Sequence, residues 1–175
     1  VPAAQAVVKI ALTQGAERHP VLIELRRDVF RGGTVWVLWE DETFLSLNCS
    51  RIGKRKKNIW EPFLNWYTAY TTPTERRKGY ATELYTHAER EALNAGCRRV
   101  KSLAGSSAGL ALHLSLGHQC WGLTEGNEVW VDSPLPGHED LYKGLVPPQA
   151  PEQRPMLRPF VKHFIKEGLR YDHGT

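Results

Sequence analysis

TTPTERRKGYATELYTHAEREALNAG, from Thr71 to Gly96, is the stretch whose reading decides the fold. It reads as the end of a strand, a tight basic glycine turn and one amphipathic helix. Trp60 to Tyr70, just ahead, is rich in aromatic and β-favouring residues and predicts the strand. Pro73 lacks an amide for strand pairing and pushes Thr72 towards extended backbone. Arg76-Arg77-Lys78-Gly79-Tyr80-Ala81 then opens a helix. Its apolar positions Ala81, Leu84, Tyr85, Ala88 and Ala92 share one stripe, and Gly96 stands where a C-terminal cap belongs.

That turn has the chemistry of an anion site. The first amides of a helix have no partner inside it and sit at the positive end of its dipole. Gly79 brings no Cβ to keep a ligand from the backbone. Three cations stand beside it, so a phosphate or pyrophosphate is the natural guest. An ordinary helix start with its basic residues facing water accounts for the same letters.

Arg76-x-x-Gly79-x-Ala81 resembles the acetyl-CoA motif of the GNAT acetyltransferases, (Gln/Arg)-x-x-Gly-x-(Gly/Ala). Downstream, Arg98 to Ala104 predicts a strand and Ser106 to Leu116 a helix capped by Gly117. The segment Ser106-SAGLALHLSL-Gly117 resembles the family's second motif, Asn-x-x-Ala…Leu-Tyr-x-x-x-Gly-Phe. The resemblance covers residues 65–131.

From the start, Ala6 to Leu12 predicts a strand and Pro20 to Val29 a helix with Val21, Leu22, Leu25 and Val29 on its stripe. Gly32-Gly33 ends it. Thr34 to Trp39 and Thr43 to Asn48 predict strands, and Gln119 to Leu123 with Glu128 to Asp132 a hairpin. This order predicts an α/β fold, GNAT-like by resemblance, with a mixed and mostly antiparallel central sheet flanked by helices. Residues 1–133 form the expected domain. From residue 134 a Pro-rich extension follows, with seven of the eleven prolines between Pro134 and Pro159. Val161, Phe164, Ile165 and Leu169 predict a short terminal helix, packed on the domain or on a second subunit of a homodimer.

The 175 residues suffice for a real core, and 41% apolar with 24% charged residues suits a globular chain. No apolar run reaches bilayer length and no signal peptide is visible. Cys49, Cys97 and Cys120 form no disulfide framework and match no zinc pattern, so a cytoplasmic chain without metal is expected.

The resemblance implies acetyl-CoA as cosubstrate and an amine as acceptor. It places the pantetheine arm along the strand end at Tyr70, Thr71 and Thr72. It places the pyrophosphate on the amides of Arg77, Lys78, Gly79, Tyr80, Ala81 and Thr82, with Arg76 and Ser106 also binding the cofactor. In many members a tyrosine four residues before the second glycine protonates the departing thiolate; His113 holds that position here. Histidine can donate a proton near neutral pH, whereas a core histidine on a leucine-rich helix is the plainer reading. Some members carry a strand glutamate eleven residues before the motif's first residue; that position is Asn65, which can orient a water but not accept a proton. Glu61 and Tyr67 are the other candidates at the acceptor side.

Arg51, Lys54, Arg55, Lys56 and Lys57 form a basic run in a chain of net charge +4. RNA or an acidic partner fits such a run, with Trp60 and Trp66 available to stack on bases, and so does a solvated turn. The same charge argues against a polycationic aminoglycoside as acceptor. Two classes of function stand: a GNAT-like N-acetyltransferase, and a module of the same fold that binds a protein or RNA partner with little or no catalysis.

Overall fold

The computed structural model describes residues 5–11, 33–41, 43–53 and 62–154. The chain divides into two compact units, Val1–Ile52 with Trp66–Glu91 and Gly53–Asn65 with Ala92–Thr175. Among the described residues seven strands and two α-helices make a mixed α/β fold with a mostly antiparallel sheet.

In the first unit, strands β1 (Gln5–Ala11), β2 (Thr34–Glu40), β3 (Thr43–Gly53) and β4 (Phe63–Thr71) lie side by side in chain order. β1 pairs antiparallel with β2 from Gln5 opposite Glu40 to Ala11 opposite Thr34. β2 pairs antiparallel with β3, and the register shifts between Leu38 and Trp39. Helix α1 spans Tyr80–Asn94. Leu84, Tyr85, Ala88 and Ala92 of its predicted stripe are buried, and Ala81 is half-buried. Leu84 packs with Leu38 and Leu45, flanked by Trp36 and Tyr80. The Trp36 ring stacks on His87 at 5.1 Å, and Trp66 meets Tyr85 at 4.8 Å. Each buried aliphatic side chain of this kind contributes roughly 1.5–3 kcal/mol, which holds α1 against the strands.

Two sequence expectations change here. The helix begins at Tyr80, not at Arg76: Pro73–Glu75 form a 3₁₀ turn, and Arg77 and Gly79 take left-handed backbone at φ 65° and 81°. Consecutive cations at the positive end of a helix dipole are unfavourable, and left-handed residues cannot continue a right-handed helix. β3 also runs five residues past Asn48 to Gly53, so Arg51 lies on a strand. The expected helix from Pro20 to Val29, Trp60 and the terminal helix lie outside the described residues.

In the second unit, β7 (Val129–Pro134) lies between β5 (Arg99–Ala104) and β6 (Cys120–Leu123) and is antiparallel to both. The turn closing the β6–β7 hairpin carries Asn127 at φ 59°, a left-handed position that asparagine tolerates. Helix α2 spans Ser107–Ser115 and ends before Gly117 at φ 76°. The core joins Trp121, Trp130 and Tyr142, with Leu103, Leu141 and Leu145 against them. Tyr142 and the fully buried Leu135 belong to the Pro-rich segment, so that segment's first part is core. Cys49, Cys97 and Cys120 are buried, and burial pushes Cys49 up to about 12 and Cys120 up to about 11.

Asp132 organises the polar side of this core. It is fully buried, its Oδ1 accepts the Tyr142 hydroxyl, and its Oδ2 lies 3.4 Å from Arg99 Nη2. Its main-chain carbonyl accepts Trp121 Nε1–H at 2.7 Å. A buried carboxylate needs such partners to stay charged. Tyr142→Phe removes one of them while keeping the ring. We expect urea denaturation to give a loss of about 1.5–3 kcal/mol; an unchanged midpoint would show that this hydrogen bond carries no stability.

Candidate functional site

The predicted donor-site residues of the first unit come together where β4 passes into α1. Thr72 is extended at ψ 131°, as the following proline demands, and its N–H donates to the Leu45 carbonyl at 2.9 Å. Ser46 donates its hydroxyl to the Tyr70 carbonyl at 3.0 Å and lies 2.9 Å from Thr71 Oγ1. Arg76 Nε donates to the Thr71 carbonyl at 3.2 Å, folding the guanidinium arm back over the turn. Lys78 Nζ lies 2.7 Å from Glu75 Oε2, and this hydrogen bond raises the Lys78 pKa.

Glu83 N–H donates to the Gly79 carbonyl at 3.0 Å as the first i→i−4 bond of α1, so the amides of the first turn precede it. A Cβ built on Gly79 would meet no atom of the described residues within 4 Å. The demand for glycine there is therefore conformational, and the described residues leave the space beside its Cα open. Arg76, Arg77, Lys78 and Thr82 are exposed, and Tyr80 and Ala81 half-buried. Among the described residues Tyr70 is one of few exposed large hydrophobic residues, at 45%. Open space, first-turn amides and a cationic rim suit a phosphate-bearing ligand.

The remaining candidates lie elsewhere. Asn65 is half-buried on β4, and Tyr67 is on the same strand, its side chain outside the described set. Glu61 and Lys54 to Lys57 lie outside the described residues. Ser106 serves as the N-cap of α2: its Oγ accepts the Gly109 N–H at 3.1 Å. Among the described residues no group of histidine, cysteine and carboxylate side chains could hold a metal. None of the described helices is long and apolar enough to cross a membrane.

His113 sits inside the second unit. It is 5% exposed, with Nδ1 2.9 Å from His118 Nδ1 and Nε2 3.1 Å from Ser102 Oγ. The Nδ1 pairing needs one ring as donor and the other as acceptor, so the fold selects complementary tautomers. Burial lowers His113 to about 4; burial, and then the charge His113 would carry, lower His118 to about 3. Sequence reasoning missed Ser46 and Ser102. A serine inside a strand carries no local signal, because its importance comes from partners distant in the chain.

A family model described as the acetyltransferase (GNAT) family matches residues 11–117. No curated protein matches the sequence. Solved structures share the fold. A PaiA N-acetyltransferase from Thermoplasma acidophilum in complex with coenzyme A is 12% identical, with TM-score 0.56 over 75% of this chain and 99% of its own. A variant of the AtaT toxin bound to the C-terminus of the antitoxin AtaR is 14% identical, with TM-score 0.53 over 82% of this chain and 99% of its own. An aminoglycoside N-acetyltransferase, AAC(6')-Iy, in complex with CoA is 16% identical, with TM-score 0.50 over 67% and 89%. Identities this low speak for the fold.

The histidine pair predicts a pH dependence. Both folded pKa values lie below the unfolded value of about 6.5. Above that value both states are neutral and the pair costs nothing. As pH falls from about 6.5 towards 4, the unfolded chain takes up protons that the folded chain refuses, and stability drops by up to ~1.4 kcal/mol per pH unit for each ring. We expect the melting temperature to fall over this window. The fall should be shallower in a His113→Leu/His118→Phe double variant. Parallel pH profiles would show that the pair is not the cause.

Proposed function

The chain belongs to the acetyltransferase (GNAT) family, and from that premise we propose that it transfers an acetyl group from acetyl-CoA to a primary amine. One observation carries the donor half of this reading. A left-handed turn at Arg77 and Gly79 leads into the first amides of α1, beside three cationic side chains and space that the described residues leave open. Backbone N–H groups and cations there suit the pyrophosphate. The strand end at Tyr70, Thr71 and Thr72 suits the pantetheine arm.

Bound acetyl-CoA supplies the activated acyl group as a thioester. The protein's part is to hold that group against a neutral amine, polarise its carbonyl and supply a proton to the departing thiolate. For the proton, burial and two engaged ring nitrogens favour the core reading of His113 over the donor reading. Its low pKa also keeps the ring neutral at pH 7. Asn65, Tyr67 and Glu61 stay as acceptor-side candidates, Asn65 as a group that orients a water and Tyr67 as a hydroxyl donor. The PaiA relative holds coenzyme A, which agrees with the donor assigned here.

Gly79→Trp tests the reading. Tryptophan strains a backbone at φ 81° and fills the space in front of the amides. Calorimetry should give acetyl-CoA affinity at least about tenfold weaker than the parent's, a cost of ~1.4 kcal/mol or more. Circular dichroism should confirm that the variant is folded. Equal affinity would sink the donor site. Free-thiol release with a panel of amines tests turnover; binding without release would make the chain a binding module.

A further inference from the structure

We propose that Ser46 is a positioning residue for the acyl donor; this rests on the donor-site reading above. Ser46 lies within β3 and is fully buried, so its hydroxyl has no access to solvent. Its Oγ meets two groups of the β4 terminus, the Tyr70 carbonyl at 3.0 Å and Thr71 Oγ1 at 2.9 Å. A carbonyl can only accept, and serine has one proton. The proton therefore goes to Tyr70, and the Thr71 hydroxyl must donate to Ser46. One buried side chain thus sets both the direction of a main-chain carbonyl and the polarity of a neighbouring hydroxyl.

The strand end is held from two further directions. The Leu45 carbonyl accepts the Thr72 N–H at 2.9 Å, and Arg76 Nε donates to the Thr71 carbonyl at 3.2 Å. Residues 70–72 are therefore fixed by adjacent positions of β3 and by the turn itself. A pantetheine arm pairs with main-chain groups, and an error of about 1 Å in such groups weakens binding and misaligns the thioester. With its proton spent on Ser46, the Thr71 hydroxyl presents only lone pairs to an incoming amide N–H. Ser46 is fully buried, so its effect on the donor passes through Tyr70 and Thr71.

The test separates the two halves of the donor. Adenosine 3′,5′-diphosphate carries phosphates for the turn but no pantetheine arm. We expect Ser46→Ala to weaken acetyl-CoA binding by about fivefold to tenfold, the loss of roughly one buried hydrogen bond. Binding of adenosine 3′,5′-diphosphate should stay unchanged. Ser46→Thr, which keeps the hydroxyl, should recover most of the loss. Equal weakening of both probes would mean general damage, and no weakening of either would mean no positioning role; each overturns the proposal for Ser46. A parent chain that binds neither probe would overturn the donor site itself.

Discussion

The left-handed backbone at Gly79 is the constraint on which the first unit depends. The chain leaves β4 extended, tightens through the 3₁₀ turn at Pro73–Glu75, and must then reverse sense before α1 can begin. Glycine adopts φ 81° without a Cβ penalty, whereas Arg77 at φ 65° pays on the order of 1 kcal/mol for a similar conformation. Burial of Leu84, Tyr85 and Ala88 repays that strain several times over, by roughly 1.5–3 kcal/mol for a large apolar side chain. The turn therefore persists because the helix behind it is well packed. At the start of that helix, the described residues leave the space beside Gly79 open.

In the second unit the corresponding part is played by a buried charge. Asp132 gathers Tyr142, Arg99 and, through its carbonyl, Trp121 around one point. Burial raises its pKa, and Arg99 and Lys101 oppose that rise. Lys101 is itself buried and stands opposite Asp132 in the β5–β7 ladder, its ammonium 4.8 Å from the Phe63 ring centre. Removing one partner of such a group costs more than the group contributes net, because the remaining charge is stranded. That asymmetry ties the residues after Pro134 into the unit despite their proline content.

What the sequence made legible was local. The helical stripe, the glycine caps at Gly96 and Gly117 and the hairpin turn rest on residues within a few positions of one another, and all appear in the structure. The start of α1 at Tyr80 is not legible in the sequence, because side-chain spacing does not report the φ of Arg77. β3 was harder still. Ser46, Asn48 and Ser50 alternate with Leu45, Leu47 and Cys49, a pattern that reads as one wet face and one dry one. Both faces are buried. For Ser46 the polar choice is explained by Tyr70 and Thr71, which lie more than twenty residues away. Likewise, the second motif identified His113 by position, but only packing brings Ser102 and His118 to its two nitrogens.

Arg76 explains why a pattern can be readable for a reason other than the one first assigned. As the leading residue of Arg-x-x-Gly-x-Ala it was read as a phosphate group's cation. Here its Nε supports the Thr71 carbonyl at 3.2 Å, so the side chain also shapes the strand end. Guanidinium is planar with five N–H donors in a fixed fork, and one of them can brace a carbonyl while the others point elsewhere. Glutamine, the family's other choice at this position, also ends in a planar group bearing N–H donors. Lysine carries the charge on a compact ammonium without that fork, and would not brace the carbonyl in the same way. At this turn the bracing of Thr71 therefore gives Arg76 a role that rests on its planar donor as well as on its charge.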